Sequence, residues 1–300
     1  MKILEKEVLS DEQGLRIIRM KISAGQIAAK AKPGQFVVIM AREEGERIPL
    51  TIVDHDQQDI TIIFQEAGLT TRLLGSLNTG DSLYALAGPL GHASEIKNYG
   101  FGYGKPNHGQ LACGKVILVA GGVGIAEIYP VAKALKEAGN QVTLILGSRS
   151  KGTLILEQEL KGIASEFYVT TDDGSYGRRG FSTDVLKDLL AKDKYDLVYA
   201  VGPLAMMQKA AGIAKNSKVA AVVSLNTLMV DATGMCGCCR VSVAGETKFS
   251  CVDGPEFDAS LLDWEELIKR NKIYTKQEKH ICKLGIGDSD FLKKGTATFL

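Results

Sequence analysis

The sequence predicts a β-barrel followed by a doubly wound α/β domain with a parallel sheet and a small cysteine-rich segment. Three observations support this prediction. Short strands bounded by Asp, Gly, Pro and Asn clusters occupy residues 1–98, which is typical of a barrel or sandwich. From residue 115 to residue 224, apolar strand runs alternate with helical stretches. Three of the six cysteines then fall within four residues, at Cys236, Cys238 and Cys239.

Length and composition indicate an ordinary globular protein. A chain of 300 residues with 45% hydrophobic content suits two domains or slightly more, with a sizeable core. Lysine and arginine total 36 against 35 acidic residues, so the net charge of +1 gives no support for binding to nucleic acid or to a membrane. The charged N-terminus has no apolar signal core, and no run approaches the ~18 apolar residues of a membrane span. We expect a cytoplasmic protein, in which cysteines bind metal more often than they form disulfides.

The first region contains the strands of the predicted barrel and one short helix, Leu69–Ser76. The strands are Lys2–Val8, Leu15–Ile22, Gln35–Ala41, Ile60–Gln65 and Ser82–Ala87. Two polar stretches stand out, at 47–52 and at 66–71 before the helix. A helix N-terminus with glycine and hydroxyl residues suits a pyrophosphate, and an arginine adds a charge-assisted pair. Each signal alone is weak, because an ordinary capped helix and an ordinary surface arginine would show the same residues without binding a ligand.

The second region reads as a nucleotide-binding sheet. Its predicted strands are Lys115–Ala120, Gln141–Leu146, Glu166–Thr170, Leu197–Val201 and Val219–Val223. Helices are predicted from the glycines to Lys136 and at Glu157–Ile163, Ser182–Leu190 and Leu204–Lys215. Gly121-Gly-Val-Gly124 follows the first strand, where missing side chains let a dinucleotide phosphate approach the helix. The full Gly-x-Gly-x-x-Gly fingerprint is absent, so a plain tight turn is an equal alternative.

The cysteine-rich segment has the spacing of an iron–sulfur site. Asp231, Cys236, Cys239 and Cys251 follow the plant-type Cys-x4-Cys-x2-Cys…Cys pattern of a [2Fe–2S] cluster, with a carboxylate at the first position. A hairpin of Arg240–Ala244 and Thr247–Cys251 around Gly245-Glu246 would deliver the last cysteine. A structural zinc site and inert buried thiols are the alternatives, but zinc normally takes a second Cys or His pair, and none follows. Cys238 is a bystander or a substitute ligand.

Taken together, these motifs resemble the ferredoxin reductase superfamily. The resemblance runs from about residue 2 to residue 262 and rests on Arg47-x-Pro-Leu-Thr51, Ala120-Gly-Gly-Val-Gly124, Val201-Gly-Pro-Leu-Ala-Met-Met207 and the cysteine segment. More narrowly, the chain is similar to the iron–sulfur flavoprotein subunits that accompany dihydroorotate dehydrogenase. It is also similar to the small (alpha) subunit of NADH-dependent ferredoxin:NADP oxidoreductase, also called sulfide dehydrogenase subunit beta. The subunits that accompany dihydroorotate dehydrogenase have cysteine at all four ligand positions, whereas the small subunit of the oxidoreductase has aspartate at the first. Asp231 therefore favours the second group.

The resemblance implies roles for particular residues. Those that would hold FAD are Arg47, Pro49, Leu50 and Thr51, with Gly68, Thr70 and Thr71 near its pyrophosphate. Those that would face the nicotinamide nucleotide are Gly121, Gly122, Val123 and Gly124 at the phosphates, Gly202 and Pro203 near the ring, and Asp173 in the loop after the third strand. No residue is assigned as a catalytic acid or base. The implied division is an FAD barrel at 1–98, a linker or inserted loop at 99–114, an NAD(P) domain at 115–224, a [2Fe–2S] segment at 225–262 and an extension at 263–300.

Three features depart from the family pattern. Residues 98–114 form an extra loop of unassigned role, and Glu127 stands where the relatives usually carry proline. The tail beyond Arg270, with Cys282, looks like a docking extension. The preference between NAD(H) and NADP(H) is also open. Arg149 after the second strand suits a 2′-phosphate, whereas the resemblance favours NAD(H), which we predict.

Electron counting gives the predicted function. Nicotinamide gives up two electrons as a hydride and a [2Fe–2S] cluster accepts one at a time, so a flavin must connect them. The chain shows no site for a terminal substrate. We therefore predict an electron-transfer subunit in a heterodimer with a larger iron–sulfur flavoprotein like the glutamate synthase small subunit, serving ferredoxin indirectly. The alternatives are the electron-transfer subunit of dihydroorotate dehydrogenase and, in another class, a non-catalytic zinc-stabilised interaction module.

Overall fold

The computed structural model describes residues 1–12, 14–43, 45–101 and 113–275. Most of the predicted loop at 98–114 lies outside the described residues. So do residues 276 onward of the predicted extension at 263–300, including Cys282. The described start of that extension is a helix, Trp264–Arg270, whose Leu267 is buried in the core of the nucleotide sheet, so this part is packed and not a free tail.

Two antiparallel sheets form the barrel. The strands are β1 (Ile3–Glu12), β2 (Leu15–Ser23), β3 (Phe36–Met40), β4 (Ile48–Thr51), β5 (Asp54–His55), β6 (Asp59–Gln65) and β7 (Ala85–Leu90), and the helices are α1 (Gly25–Ala28) and α2 (Leu69–Ser76). The strand orders are β1-β2-β6-β5 and β4-β3-β7. In β2, the buried Ile18, Met20 and Ile22 alternate with Arg19 and Lys21, as expected of a strand with one face toward the core.

The barrel differs from the prediction at four strands and one helix. Strand β1 extends to Glu12 and not to Val8, and the short β5 and α1 were not predicted. Strand β4 occupies part of the polar stretch 47–52, where no strand was predicted. The structure places Pro49 in an edge strand, where a missing N–H is tolerated. The last strand runs from Ala85 to Leu90 and not from Ser82 to Ala87, because Ser82 makes only an isolated bridge with Lys2.

The second region forms one seven-stranded sheet and a separate hairpin. The remaining strands are β8 (Lys115–Gly121), β9 (Gln141–Ser148), β10 (Glu166–Thr171), β11 (Arg178–Arg179), β12 (Leu197–Val201), β13 (Ala220–Ser224), β14 (Arg240–Val243), β15 (Glu246–Phe249) and β16 (Glu256–Asp258). The remaining helices are α3 (Gly124–Glu137), α4 (Glu157–Ile163), α5 (Ser182–Lys192), α6 (Leu204–Asn216) and α7 (Trp264–Arg270). The sheet order is β11-β10-β9-β8-β12-β13-β16. All its pairs are parallel except β13 with β16.

The parallel sheet is covered on both faces, which explains its continuous apolar strands. Residues 116–120 of β8 are almost wholly inaccessible. On one face, α3 and α4 share a core with Ile17 and Ile63 of the barrel, so the barrel and the sheet pack directly together. On the other face, α5 and α6 cover the strands. Strand order reverses between β8 and β12, which is where such sheets bind ligands.

The hairpin has a different turn from the one predicted. Val243 pairs with Glu246, so the turn residues are Ala244 and Gly245, at φ of 53° and 82°. Two residues with positive φ match the right-handed twist of the flanking strands. The second strand therefore ends at Phe249, and Cys251 lies in the turn that follows. Among the described helices, none combines the length and the apolar character that a membrane crossing requires.

Candidate functional site

Two glycine turns meet at the carboxyl ends of β8 and β12. A Cβ atom added to Gly124 would lie 2.8 Å from the carbonyl oxygen of Val201. One added to Gly202, at φ of 143°, would lie 2.8 Å from the carbonyl oxygen of Gly121. The backbones therefore touch where side chains would collide, and Pro203 follows directly. The first turn of α3 is closed by bonds from the N–H groups of Ile125 and Ala126 to the carbonyls of Gly122 and Val123, over 3.2 and 2.9 Å. The helix begins at this crevice, and the positive end of its dipole suits a phosphate.

The edge beyond β9 carries Arg149, which was expected at the ribose, and Asp173, which was expected in the nucleotide-binding loop after the third strand. The backbone N–H of Asp173 donates to the carbonyl of Arg149 over 3.2 Å, so these two predicted residues are neighbours. Asp173 accepts from the hydroxyl and the N–H of Ser175 over 2.7 and 2.9 Å, and these bonds lower its pKa. The carboxylate of Asp173 therefore organises its own loop.

The residues expected to bind flavin lie on β4 and at the start of α2. Pro49, Leu50 and Thr51 belong to β4, and Arg47 directly precedes it. At α2, the hydroxyl of Thr71 donates to the carbonyl of Gly68 over 3.0 Å. The hydroxyl of Thr70 donates to Glu46 over 2.7 Å. The two predicted flavin stretches are thus linked through Glu46, the residue beside Arg47.

The structure joins the predicted flavin residues to the predicted cluster segment. Arg47 Nη1 donates to Asp231 Oδ1 over 2.8 Å, and the hydroxyl of Thr233 donates to Asp231 Oδ2. The Arg47 side chain is 53% exposed, so this pair contributes only about 0–1 kcal/mol to stability. This ion pair matters for the position of its two residues more than for stability. The barrel arginine lies within hydrogen-bonding distance of the first predicted ligand of the cluster.

Four predicted ligands form two neighbouring pairs. Cys239 and Cys251 are 2% and 1% exposed. Burial and the neighbouring Cys239 thiol raise the pKa of Cys251 to about 12. Cys236 is exposed, and the backbone N–H groups of Cys238 and Asp231 lower its pKa, while the charge of Asp231 opposes them. The Cys238 thiol is half-buried beside Cys236. A [2Fe–2S] cluster takes two protein ligands at each iron, so two adjacent pairs fit it.

The buried pair of cysteines rests on the barrel. Cys239 and Cys251 share a small apolar cluster with Phe36 and Val38 of β3. In the part of the chain that the structure describes, no three His, Cys, Asp or Glu side chains are arranged to hold a single metal ion. The cysteine segment places one pair of thiols, Cys239 and Cys251, against β3 of the barrel.

A buried polar network was missed at the sequence level. The hydroxyl of Tyr199 donates to Glu256 Oε1 over 2.7 Å, and the hydroxyl of Ser94 donates to the same oxygen. Burial raises the pKa of Glu256, and burial raises the pKa of Glu127 to about 7. The available signal was one tyrosine in the apolar run of β12. The network connects a residue that follows the barrel with β12 and β16.

Glu127→Gln is expected to stabilise the protein at pH 8 by about 1–3 kcal/mol, because the folded state raises the pKa of this carboxyl from 4.5 to about 7. Between these values the folded chain keeps a proton that the unfolded chain has lost, so stability falls as pH rises through this window. Denaturant unfolding at pH 5 and pH 8 measures the difference. The exposed Glu137→Gln on the same helix is the matched control. An equal effect of Glu127→Gln at both pH values would contradict the account.

The fold and the site define a class of protein. An antiparallel barrel, a doubly wound sheet with glycine turns at its switch point, and paired cysteines on the barrel are the architecture of a ferredoxin reductase-type oxidoreductase. The chain matches the profile of the oxidoreductase NAD-binding domain over residues 118–212. It matches that of the iron–sulfur cluster binding domain of dihydroorotate dehydrogenase B over residues 226–263.

Similar proteins identify the family. The chain is 46% identical over 260 residues to a dihydroorotate dehydrogenase B (NAD(+)) electron transfer subunit homolog of Thermotoga maritima, covering 86% of this chain and 87% of the relative. It is 34% identical to the corresponding subunit of Geobacillus thermodenitrificans, covering 81% and 91%. The chain belongs to this family of electron-transfer subunits.

Solved structures agree with this assignment. A chain from an NADH-dependent reduced ferredoxin-NADP oxidoreductase, studied for flavin-based electron bifurcation, superposes with a TM-score of 0.83 at 43% identity, covering 94% of this chain and 96% of that one. A cytochrome P450 reductase of Amycolatopsis, at 20% identity and a TM-score of 0.56 over 72% and 65%, shares the fold. The predicted fold class, family and cofactors are confirmed. The chain is an oxidoreductase subunit that uses FAD, a [2Fe–2S] cluster and NAD(H), and not a zinc-stabilised module.

Proposed function

We propose that this chain carries electrons between NAD(H), FAD and its [2Fe–2S] cluster, and exchanges them with a larger iron–sulfur flavoprotein in a ferredoxin:NAD(P) oxidoreductase. The observation that carries this proposal is the contact of the cysteine segment with the barrel. Arg47 bonds to Asp231, and Cys239 and Cys251 pack on Phe36 and Val38. Flavin and cluster sites on adjoining surfaces suit direct electron transfer.

Each part of the chain has a proposed task. The backbone at Gly121–Gly124 binds the nucleotide phosphates, and Gly202-Pro203, which packs closely on Gly121, lies near the nicotinamide ring. Residues 47–51 and the start of α2 hold FAD. Bound flavin converts a two-electron hydride transfer into single-electron steps. The packing of the barrel on the sheet, through the core that includes Ile17 and Ile63, holds the two sites in a fixed relation.

The proposed ligands of the cluster follow the two pairs. Asp231 and Cys236 would bind one iron, and Cys239 and Cys251 the other. Asp231 has one carboxylate oxygen bonded to Arg47 and the other to Thr233, so exchange of one of these bonds for iron leaves the other in place. A carboxylate keeps the single negative charge of a thiolate, so the net charge of the cluster is unchanged.

Asp231→Cys is expected to retain the cluster and lower its reduction potential. Oxygen donates less electron density to iron than sulfur does, so the natural aspartate favours the reduced state. The shift should stay well under the difference of about 250 mV or more between Rieske centres and plant-type ferredoxins, because no ligand charge changes. Electron paramagnetic resonance during a redox titration measures it. An unchanged spectrum and potential would show that Asp231 only caps its loop, as aspartate does in turns.

The proposed partner is a larger flavoprotein similar to the glutamate synthase small subunit. Apolar side chains are exposed on the cysteine segment, most of all Met235 at 86%, and Val230 and Val252 are exposed on the same segment. Exposed apolar residues beside a redox site suit a docking protein. An aspartate at the first ligand position supports the ferredoxin:NAD(P) type of complex, with ferredoxin served through the partner.

The second candidate is the electron-transfer subunit of a dihydroorotate dehydrogenase, supported by the description of the Thermotoga maritima relative. Affinity purification of the chain from its own host, with mass spectrometry, decides between the two. We expect a larger iron–sulfur flavoprotein in a heterodimer. Recovery of a dihydroorotate dehydrogenase would support the second candidate. A monomer with full ferredoxin-linked activity would contradict both.

We also propose a cytoplasmic location, supported by the reduced cysteines that the cluster requires. The domain division at residues 98, 114, 224 and 262 remains our proposal. The antiparallel pairing of β16 with β13 joins two of these proposed domains, because a strand of the cluster segment forms the edge of the nucleotide sheet.

A further inference from the structure

The end of β1 in the barrel reaches the ribose edge of the nucleotide sheet. The hydroxyl of Ser150 donates to the carboxylate of Glu12. The hydroxyl of Ser10 donates to the carbonyl of Gly152 over 2.5 Å. A Cβ on Gly152 would lie 3.1 Å from the Glu12 carboxyl group, so the acid sits closely over the 3-10 turn at Lys151–Thr153. These contacts join residues about 140 positions apart.

This edge decides which nicotinamide nucleotide a doubly wound sheet accepts. The group at the end of the second strand meets the ribose 2′ position, where an acid suits the hydroxyl and an arginine suits the phosphate. Strand β9 is that second strand, and it ends at Ser148, beside the exposed Arg149. From sequence alone, Arg149 between two serines favoured a 2′-phosphate.

In the structure, the hydroxyls of both serines are engaged in other hydrogen bonds and do not serve a 2′-phosphate. The hydroxyl of Ser148 is buried and donates to the carbonyl of Ser150 over 2.8 Å. Ser150 is only 9% exposed, and its hydroxyl is bonded to Glu12. Arg149 is left at an edge whose hydroxyl donors are engaged and which holds a carboxylate from the barrel. A carboxylate at this edge repels a phosphate bound beside it, and the repulsion is stronger in a partly buried site than in water.

We infer that Glu12 is a specificity-determining residue that disfavours the 2′-phosphate of NADP(H) and so makes the site selective for NAD(H). The acid comes from the barrel and not from the nucleotide sheet itself. The sequence of the sheet alone therefore favours NADP(H), which is the wrong nucleotide. The inference rests on the proposed nucleotide site at Gly121–Gly124.

Binding of two probes to the FAD- and cluster-loaded protein tests this inference. ADP-ribose and 2′-phospho-ADP-ribose differ only in the phosphate, and calorimetry gives the ratio of their dissociation constants. Glu12→Gln keeps an acceptor for Ser150 and removes the charge, whereas Ser150→Ala keeps the charge and removes the bond. Glu5→Gln, an exposed acid on the same strand, is the matched control for net charge.

We expect Glu12→Gln to improve the relative binding of 2′-phospho-ADP-ribose about tenfold, with ADP-ribose changed less than about twofold. Glu5→Gln should leave the ratio unchanged, and Ser150→Ala should change it less than Glu12→Gln. An unchanged ratio in Glu12→Gln, or an equal loss of both probes, would overturn the inference and leave Glu12 a clamp between domains. Failure of the unmodified protein to bind ADP-ribose would instead count against the nucleotide site.

Discussion

Cys251→Ser is expected to eliminate the [2Fe–2S] cluster and leave the flavin in place. Cys251 is almost fully buried beside Cys239, and both rest on β3. Serine is close in size, so the barrel should still fold, but its hydroxyl is a poor replacement for a thiolate toward iron. Electron delivery to the partner should fall by roughly 100-fold or more, while reduction of the flavin by NADH continues. Iron analysis, the visible spectrum and stopped-flow absorbance measure these quantities.

Two further cysteines give the controls for this prediction. Cys113→Ser alters an exposed thiol that donates to the carbonyl of Gly139, away from the cysteine segment, and should keep the full iron content. Cys238→Ser should also keep the cluster. If Cys238→Ser destroys the cluster and Cys251→Ser does not, the assignment of ligands is wrong.

Gly202→Ala is expected to abolish reduction of the flavin by NADH, with a loss of roughly 100-fold or more in rate. At φ of 143°, the new methyl group would lie 2.8 and 2.9 Å from the carbonyl oxygen and amide nitrogen of Gly121. Both atoms belong to the backbone, so β8 and β12 must separate at the crevice where the nucleotide binds. Strain of this kind costs about 1–3 kcal/mol in stability as well. Stopped-flow reduction and thermal unfolding measure the two effects.

Gly212→Ala is the matched control for that substitution. Gly212 lies in α6, which follows Gly202, and an added Cβ meets nothing within 4 Å. Alanine has the better helix propensity, so stability should rise by up to about 1 kcal/mol and NADH reduction should be unaffected. If Gly202→Ala reduces its flavin at nearly the normal rate, the crevice between β8 and β12 does not hold the nicotinamide nucleotide.

Local sequence signals predicted most regular elements. Leu69–Ser76, Glu157–Ile163 and Leu197–Val201 have the predicted bounds, because apolar periodicity and clear flanking turns mark their ends. Strand β4 was missed because a proline argues against a strand unless its edge position is known. The hairpin turn was placed one residue late, since Gly245 can occupy either central position and Ala244 gives no hint of its positive φ.

The contacts between motifs could not be predicted in the same way. Arg47 with Asp231, Glu12 with Ser150 and Tyr199 with Glu256 are separated by 184, 138 and 57 positions. No helical or strand period encodes such pairs, because they arise from the packing of the barrel, the sheet and the cysteine segment on one another. The sequence identified the separate sites, and their adjacency required the fold.

An anaerobic titration of the purified chain with NADH, followed by visible absorbance and electron paramagnetic resonance, tests the proposed electron path most directly. We expect the flavin to bleach first and a signal from the reduced [2Fe–2S] cluster to follow, approaching about one spin per chain. In Cys251→Ser, only the flavin should respond. A flavin fully reduced by NADH beside a cluster that stays oxidised, although dithionite reduces it, would contradict transfer from the barrel to the cysteine segment.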